Sequence, residues 1–341
     1  MEKSIQKKTL IEAGIVLGII IIVVGYLFFG PGYGISKTTY IYIDKDDNAD
    51  SVYTKIEKKA DPHFMGVFKF MSKTLKYPDH IRTGRYAIHP MSGTLRILRN
   101  LRNGMQEPVE LTIPSVRTLD KLAEALSEKL MLDSDDILEA LEDESVCKKY
   151  GYDTATIACM FIPNTYQMYW DISLDKFLAR MDKESKAFWT PTRLKKAKEA
   201  QLTPIQICTL ASIVDEESAY GPEKPMIAGM YINRLRAGMP LQADPTIKYA
   251  WKKFDLKRIY NNLLYIKSPY NTYKNIGLPP GPIRIPSVEG IDAVLNFVHH
   301  KYMYMCAKED FSGTHNFAET YQQHLQNAKK YSEALNKHGI K

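Results

Sequence analysis

Three consecutive carboxylates, Asp215, Glu216 and Glu217, close the otherwise mostly apolar stretch LTPIQICTLASIVDEESAYGP at residues 202–222. A carboxyl group held against apolar side chains is disfavoured in its charged form, so its pKa rises towards neutrality. In that state it can donate a proton to a leaving group and take one back afterwards. Thr203-Pro204-Ile205-Gln206 supplies a capping box with Pro at the first helical position, and Gly221-Pro222 supplies a stop. The spacing predicts a helix over 204–220. At about 100° per residue, Ile207, Leu210, Ala211, Val214 and Ser218 share one face. Glu216 points the opposite way, beside Thr209 and Ser212, and is expected in solvent. Asp215 sits above Ala211 and Cys208 on one shoulder of the apolar stripe, and Glu217 stacks over Ile213 and Leu210 on the other. Glu217 is therefore the candidate catalytic acid. The structural alternative is a helix-end acid paired with an Arg or Lys.

Three later segments offer groups that could surround it. MIAGMYINRLRAGMPLQADPTIKYAW (226–251) reads as a helix ended by Gly238, then an extended polar segment, with Asn233, Arg234, Gln242, Asp244 and Thr246 close together in sequence. SPYNTYKNIGLPPGPIRIPS (268–287) is rich in Pro and Gly and displays Tyr270, Asn271 and Tyr273. FSGTHNFAETYQQHL (311–325) places His315 near a glycine. Aromatic rings stacking on pyranose faces, with amides bonding hydroxyls, are a common way to grip a sugar. No C-x-x-C pair or other metal-ligand spacing occurs, and nothing calls for a metal or cofactor. Cys147, Cys159, Cys208 and Cys306 are expected as isolated small core residues.

The elements that must position these groups begin with an apolar segment. AGIVLGIIIIVVGYLFF, residues 13–29, carries no charge and is long enough for a membrane span. No A-x-A cleavage site follows, so an uncleaved anchor over 13–30 is expected rather than a signal peptide. Lys3, Lys7 and Lys8 precede it, which puts residues 1–12 in the cytoplasm and the rest of the chain outside. After a linker (31–37), the segments 38–43, 47–56, 66–75 and 83–90 read as strand, helix, helix, extended segment. A helix follows over 92–104, with Ser92 as N-cap and Gly104 at its end, then a strand within 107–115. From Thr118 onward the chain is mainly helical. The basic run from Lys183 to Lys198 is expected as a solvated face. Net charge is +7, too small to argue for nucleic acid, and no nucleic-acid motif is present. The fold class expected is α+β: an anchor helix, a small α/β module (38–115), and a mainly helical domain (116–341) with short strands and long Pro/Gly-rich loops.

Together these segments resemble the MltG (YceG-like) family of endolytic murein transglycosylases. The resemblance rests on RTGRYAI, ELTIPSVRT, FIPNTYQM, LASIVDEES, INRLRAGMPLQADPTIKYA, YNTYKNIGLPPGPI and GTHNF, in that order. The family commonly has Glu at Asp215, Lys at Glu216 and Thr at Ser218, and Glu-Gly where this chain has Ser115-Val116. The carboxylate matching the family's catalytic glutamate is Glu217. The resemblance implies that residues 38–115 form a LysM-like module. It also implies that Glu217 cleaves the MurNAc–GlcNAc bond of nascent peptidoglycan without water, leaving 1,6-anhydroMurNAc and ending strand growth near the membrane. Asn233, Gln242, Asp244, Thr246, Tyr270, Asn271, Tyr273 and His315 would bind the glycan. Localisation in the bacterial cytoplasmic membrane, with the catalytic domain outside, follows from the anchor. Peptidoglycan synthases and elongation or division proteins are the implied partners. Two other readings stay open: a hydrolytic muramidase using Asp215 or Asp244 to activate water, and a membrane-anchored glycan-binding scaffold.

Overall fold

A computed structural model of the protein describes residues 2–256 and 258–338. The chain divides into two units: the first holds the chain up to Leu111 with segments 129–131 and 167–172, the second holds 112–128, 132–166 and the chain from Ser173 onward.

In the first unit, helix α1 (Glu2–Phe29) contains the apolar segment expected as an anchor. Lys7–Phe29 is long and apolar enough to cross a membrane, with mean hydropathy 2.6 and none of its most apolar window buried. Strand β1 (Thr39–Ile43), helices α2 (Ala49–Ala60) and α3 (Met65–Thr74) and strand β2 (Gly84–Ile88) reproduce the expected order. β1 and β2 pair antiparallel, with Ile41 opposite Tyr86 and Ile43 opposite Gly84. Alternation turns Ile41 and Ile43 inward onto Val52 and Ile56 of α2 and Phe68 of α3. A capping box of Asn48 and Ser51 starts α2. Helix α4 (Thr94–Asn103) ends at Gly104 as expected, at φ 70°, a conformation glycine adopts without steric cost. Its start differs: Gly93, not Ser92, is the N-cap. A Cβ on Gly93 would fall 2.7 Å from the carbonyl oxygen of Phe29, so the close approach of the end of α1 demands glycine there.

The chain passes to the second unit within strand β3 (Val109–Thr112). Short helices α5 (Leu119–Ser127), α6 (Ser134–Glu142) and α7 (Glu144–Lys149) precede strand β4 (Thr165–Met168). Residues 174–200 form two helices, α8 (Leu174–Phe188) and α9 (Pro191–Ala200), because Thr190 caps a new start at Pro191. Lys183, Lys186, Lys195 and Lys198 are exposed, as a solvated face requires.

Helix α10 (Pro204–Glu217) starts on the Thr203–Gln206 capping box, as read from sequence. It packs against α9, α11 (Lys224–Arg236), α12 (Asp244–Trp251) and α13 (Val288–Leu295). Two expectations about it are corrected. Every residue from Ile207 to Val214 is buried, so no solvent face exists. Thr209 and Ser212 tolerate burial because they are satisfied: Thr209 donates to the Ile205 carbonyl, Ser212 donates to the Thr209 carbonyl and accepts from the Ile283 amide. The helix also stops at Glu217, not 220. Ser218 turns to extended backbone, and its hydroxyl accepts from the Tyr220 amide, which draws the chain out of the helix. A hairpin of β5 (Tyr304–Ala307) and β6 (His315–Ala318) pairs Ala307 with His315, and α14 (Tyr321–Lys337) follows from a Thr320–Gln323 capping box. Cys147, Cys159 and Cys208 are buried as expected, whereas Cys306, on β5, is half-buried.

Candidate active site

The three acids emerge from the C-terminal turn of α10, where unpaired carbonyls already carry partial negative charge. Each therefore needs compensation, and each receives a different kind.

Asp215 is 3% exposed. Its Oδ1 accepts from Lys224 Nζ at 2.8 Å and Ser287 Oγ at 2.9 Å, and its Oδ2 accepts from the Ser287 amide at 2.7 Å. Ser287 is the N-cap of α13, so Asp215 also lies at the positive end of that helix. A Cβ on Gly290 would come within 2.5 Å of Asp215 Oδ1, so this contact needs a glycine on α13. Burial alone would lower the pKa of Lys224, but its bonds to Asp215 and Glu289 outweigh it and leave it raised. Asp215 is thus committed to an ion pair with Lys224 and to the N-cap of α13.

Glu216, expected in solvent, is 10% exposed. Arg117 grips it in a fork, Nε to Oε1 at 2.8 Å and Nη2 to Oε2 at 2.9 Å, and Arg284 Nη1 adds a bond to Oε1 at 2.9 Å. The helical phasing was right about direction. It could not see that residues 117 and 284 return to cover that face.

Glu217 meets no cation at hydrogen-bond distance among the described residues. Its Oε1 accepts from the Tyr231 hydroxyl at 2.6 Å. Its pKa is raised to about 7: burial is the main cause, the Tyr231 bond opposes it, the Asp244 charge adds to it, and His315 and Lys248 pull back. Burial, then Glu217 itself, pushes the Tyr231 phenol well up, so Tyr231 stays a donor.

Glu217 opens into a cavity of about 290 Å³. The structure brings four predicted residues to its lining: Gln242, Asp244, Tyr273 and His315. Tyr273 donates to Asp244 Oδ1. Gln242 holds a left-handed backbone at φ 50°, unusual for a side-chain-bearing residue. The turn is fixed by bonds to Thr272: the Gln242 amide reaches its carbonyl and the Ala243 amide its hydroxyl. His315 is held by Glu223, which accepts from its backbone amide at 2.7 Å and lies 2.8 Å from its Nδ1.

The other four predicted residues lie off that lining. The Asn233 amide donates to the carbonyls of His300 and Tyr302. Thr246 is buried and bonds the Ala243 carbonyl and the Thr272 hydroxyl. Asn271, also buried, donates to the carbonyls of Leu264 and Ile266. Tyr270 packs on Tyr249, ring centroids 4.7 Å apart. These side chains hold the loops that present the cavity. Sequence reasoning did not single out Tyr231 or Glu223, and it named Arg234 only among nearby polar groups, with no binding role. Arg234 is 7% exposed, donates to the carbonyls of Met303 and Leu241, and lines the cavity. No local pattern marked Tyr231: two residues before Asn233 on a helix, it points to a different face.

Residues 41–330 match the model of the YceG-like family. Over 305 residues the chain is 28% identical to an endolytic murein transglycosylase of Streptococcus pneumoniae, covering 80% of this chain and 54% of that protein. It thus spans about half the length of that relative. It is 27% identical over 318 residues to the endolytic murein transglycosylase of Bacillus subtilis, covering 88% of this chain and 87% of that one. A crystal structure of a yceG-like protein from Listeria monocytogenes superposes with a TM-score of 0.55 at 25% identity, covering 85% of this chain and 99% of that one.

Proposed function

Because this chain belongs to the YceG-like family, we propose that it is an endolytic lytic transglycosylase that cuts peptidoglycan glycan strands. The observation that carries this reading is Glu217, the one acid of three with no cation at hydrogen-bond distance among the described residues, held near neutral pKa inside a cavity. A protonated Glu217 gives its proton to the oxygen bridging MurNAc C1 and the next GlcNAc. That bond breaks, and positive charge develops at C1. The Glu217 carboxylate then takes the proton of the same MurNAc's C6 hydroxyl, whose oxygen bonds C1. The products are a free GlcNAc hydroxyl and a 1,6-anhydroMurNAc end, and Glu217 is protonated again. A pKa near 7 suits both transfers. Gln242, Asp244, Tyr273 and His315 contact the sugars, while Asn233, Thr246, Tyr270 and Asn271 hold the loops.

The apolar helix tethers the enzyme to the cytoplasmic membrane, with residues 1–12 inside and the catalytic residues outside. Tethering keeps it at high local concentration against strands as they emerge. Cutting there would end strand growth alongside peptidoglycan synthases and elongation or division proteins. The module at 38–115 is proposed as LysM-like, supported by its β1-α2-α3-β2 order around a two-stranded antiparallel sheet.

Asp244 supports a second reading. It is a second carboxylate on the same cavity, the arrangement a hydrolase would use to activate water. Digestion of purified sacculi by the full-length protein in detergent, followed by mass spectrometry, separates the two. Anhydro ends that vanish in Glu217→Gln are expected. Reducing ends would overturn transglycosylation in favour of hydrolysis, and no cleavage would leave a binding scaffold.

A further inference from the structure

A second cleft in the second unit lies apart from Glu217. It measures about 1230 Å³ and shares no lining residue with the Glu217 cavity. Arg117, Arg284 and Lys252 line it together with the rings of Tyr249 and Phe254, whose centroids are 6.3 Å apart. Leu138 and Glu142 also line an adjoining recess of about 500 Å³, whose other lining residues are Asp135, Glu139 and Asp143. The two together form a groove whose cations all line the first part, alongside Asp120, while the charged residues of the second are all carboxylates.

The groups in this groove have capacity to spare. Arg117 spends Nε and Nη2 on Glu216, yet its side chain is 45% exposed and its guanidinium lies 5.4 Å from the Phe254 ring. Lys252 is exposed and forms no ion pair among the described residues, nor do Glu139 and Glu142. Exposed charges on a convex surface need no explanation. Here both signs are set in a concave site with an aromatic wall and a volume suited to a ligand. A neutral glycan offers hydroxyls and acetamides, which gain nothing from opposite charges kept apart. A short peptide with a free carboxylate and a free amine matches both: planar guanidinium suits carboxylate, and carboxylates suit an ammonium.

We propose that this groove binds the charged peptide stem of a peptidoglycan strand, its carboxylate towards Arg117 and Lys252 and its side-chain amine towards Glu142 and Glu139. The assignment rests on the peptidoglycan reading above. It also joins recognition to the site, because Arg117 and Arg284 hold Glu216, the residue before Glu217 on the last turn of α10. A carboxylate drawing on those guanidiniums acts on the turn that carries the catalytic acid.

The test is binding without turnover. Full-length Glu217→Gln protein in detergent is titrated by calorimetry with a synthetic stem peptide. The peptide bears a free α-carboxylate on its γ-linked glutamate and a free ε-amine on its lysine. Saturable binding is expected. It should weaken at least about tenfold when the carboxylate is amidated, when the amine is acetylated, and in Lys252→Glu or Glu142→Lys. The modified peptides keep the test valid even if a variant misfolds. Acetylation should cost little more once Glu142 is already Lys. Absence of saturable binding, or binding indifferent to Lys252→Glu and to amidation, overturns the proposal. Inorganic phosphate binding as well as the peptide would overturn it too, by showing a general anion site. Cleavage of sacculi without peptide binding sinks the groove alone. Peptide binding without cleavage sinks the catalytic reading alone.

Discussion

On one side of the end of α10, Asp215 and Glu216 are met by Lys224, Arg117 and Arg284 at hydrogen-bond distance. On the other side, Glu217 is met by the neutral hydroxyl of Tyr231. The three residues are consecutive, share the same chemistry and sit on the same negative helix end. What differs is what the rest of the chain places opposite them. Cations pair with the first two and anchor α10 to its neighbours. Burial with a weak donor leaves the third free to change protonation state. On the proposed function, a catalytic acid would be made here by withholding a cation, and the neighbouring pairs compensate the helix end so that this can be tolerated.

The comparison breaks most sharply on activity. Glu217→Gln should lower the rate of glycan cleavage by at least about 10²–10⁴-fold, the usual worth of a general acid–base. Quantifying soluble products from sacculi measures it. Comparable loss in Glu216→Gln would show that the cation-held side also does chemistry.

Stability should show the reverse order. Asp215→Asn removes one partner of a buried ion pair and is expected to destabilise by about 3 kcal/mol, the low end for such pairs because Glu289 still holds Lys224. Denaturant unfolding of the full chain reads this out, and a change under about 1 kcal/mol would mean that Asp215 is not an anchor.

Glu217→Gln should stabilise, and only at higher pH. The folded pKa of Glu217 lies above its unfolded value, so the native state binds the proton more tightly. The cost is absent below about pH 4.5, grows as pH rises, and is complete above about pH 7, where it amounts to roughly 3 kcal/mol. The variant's melting advantage should therefore widen between pH 5 and about pH 8. An advantage that shrinks with pH would mark Glu217 as a salt-bridged acid like its neighbours. Activity should fall over the same upper range, as the general acid is lost.

A smaller effect sharpens the role of Tyr231. Tyr231→Phe deletes the one bond that favours the Glu217 carboxylate, so the fall in activity should move to higher pH, by about one unit. An unmoved pH profile would show that this hydroxyl does not set the acid. The smallest change is expected from Glu216→Gln. The amide can still accept from Arg117 or Arg284, and the loss should be about 1 kcal/mol of stability. Phasing alone argued for a neutral substitution, and a null result would restore that view.

The sequence by itself determined whatever depends on a few neighbouring residues. The capping box started α10 at Pro204, the apolar run marked the candidate span, and alternation turned Ile41 and Ile43 inward, while helical phasing put Glu217 forward as the candidate acid but wrongly expected Glu216 in solvent. It also gathered Gln242, Asp244, Tyr273 and His315 as candidates, all of which line the cavity. Capping and periodicity act within about one helical turn, so they are written locally. Tertiary structure decided what each group faces. Glu216 is covered by an arginine 99 residues away, Asp215 by a serine 72 residues away, and His315 by a glutamate 92 residues away. Asn233, Thr246 and Asn271 have polar side chains like those in the cavity, but nearby carbonyls claimed them. A side chain's type states which bonds it can make. Which of them it does make depends on segments brought together only by packing, and the same packing sets burial, hence the raised pKa of Glu217.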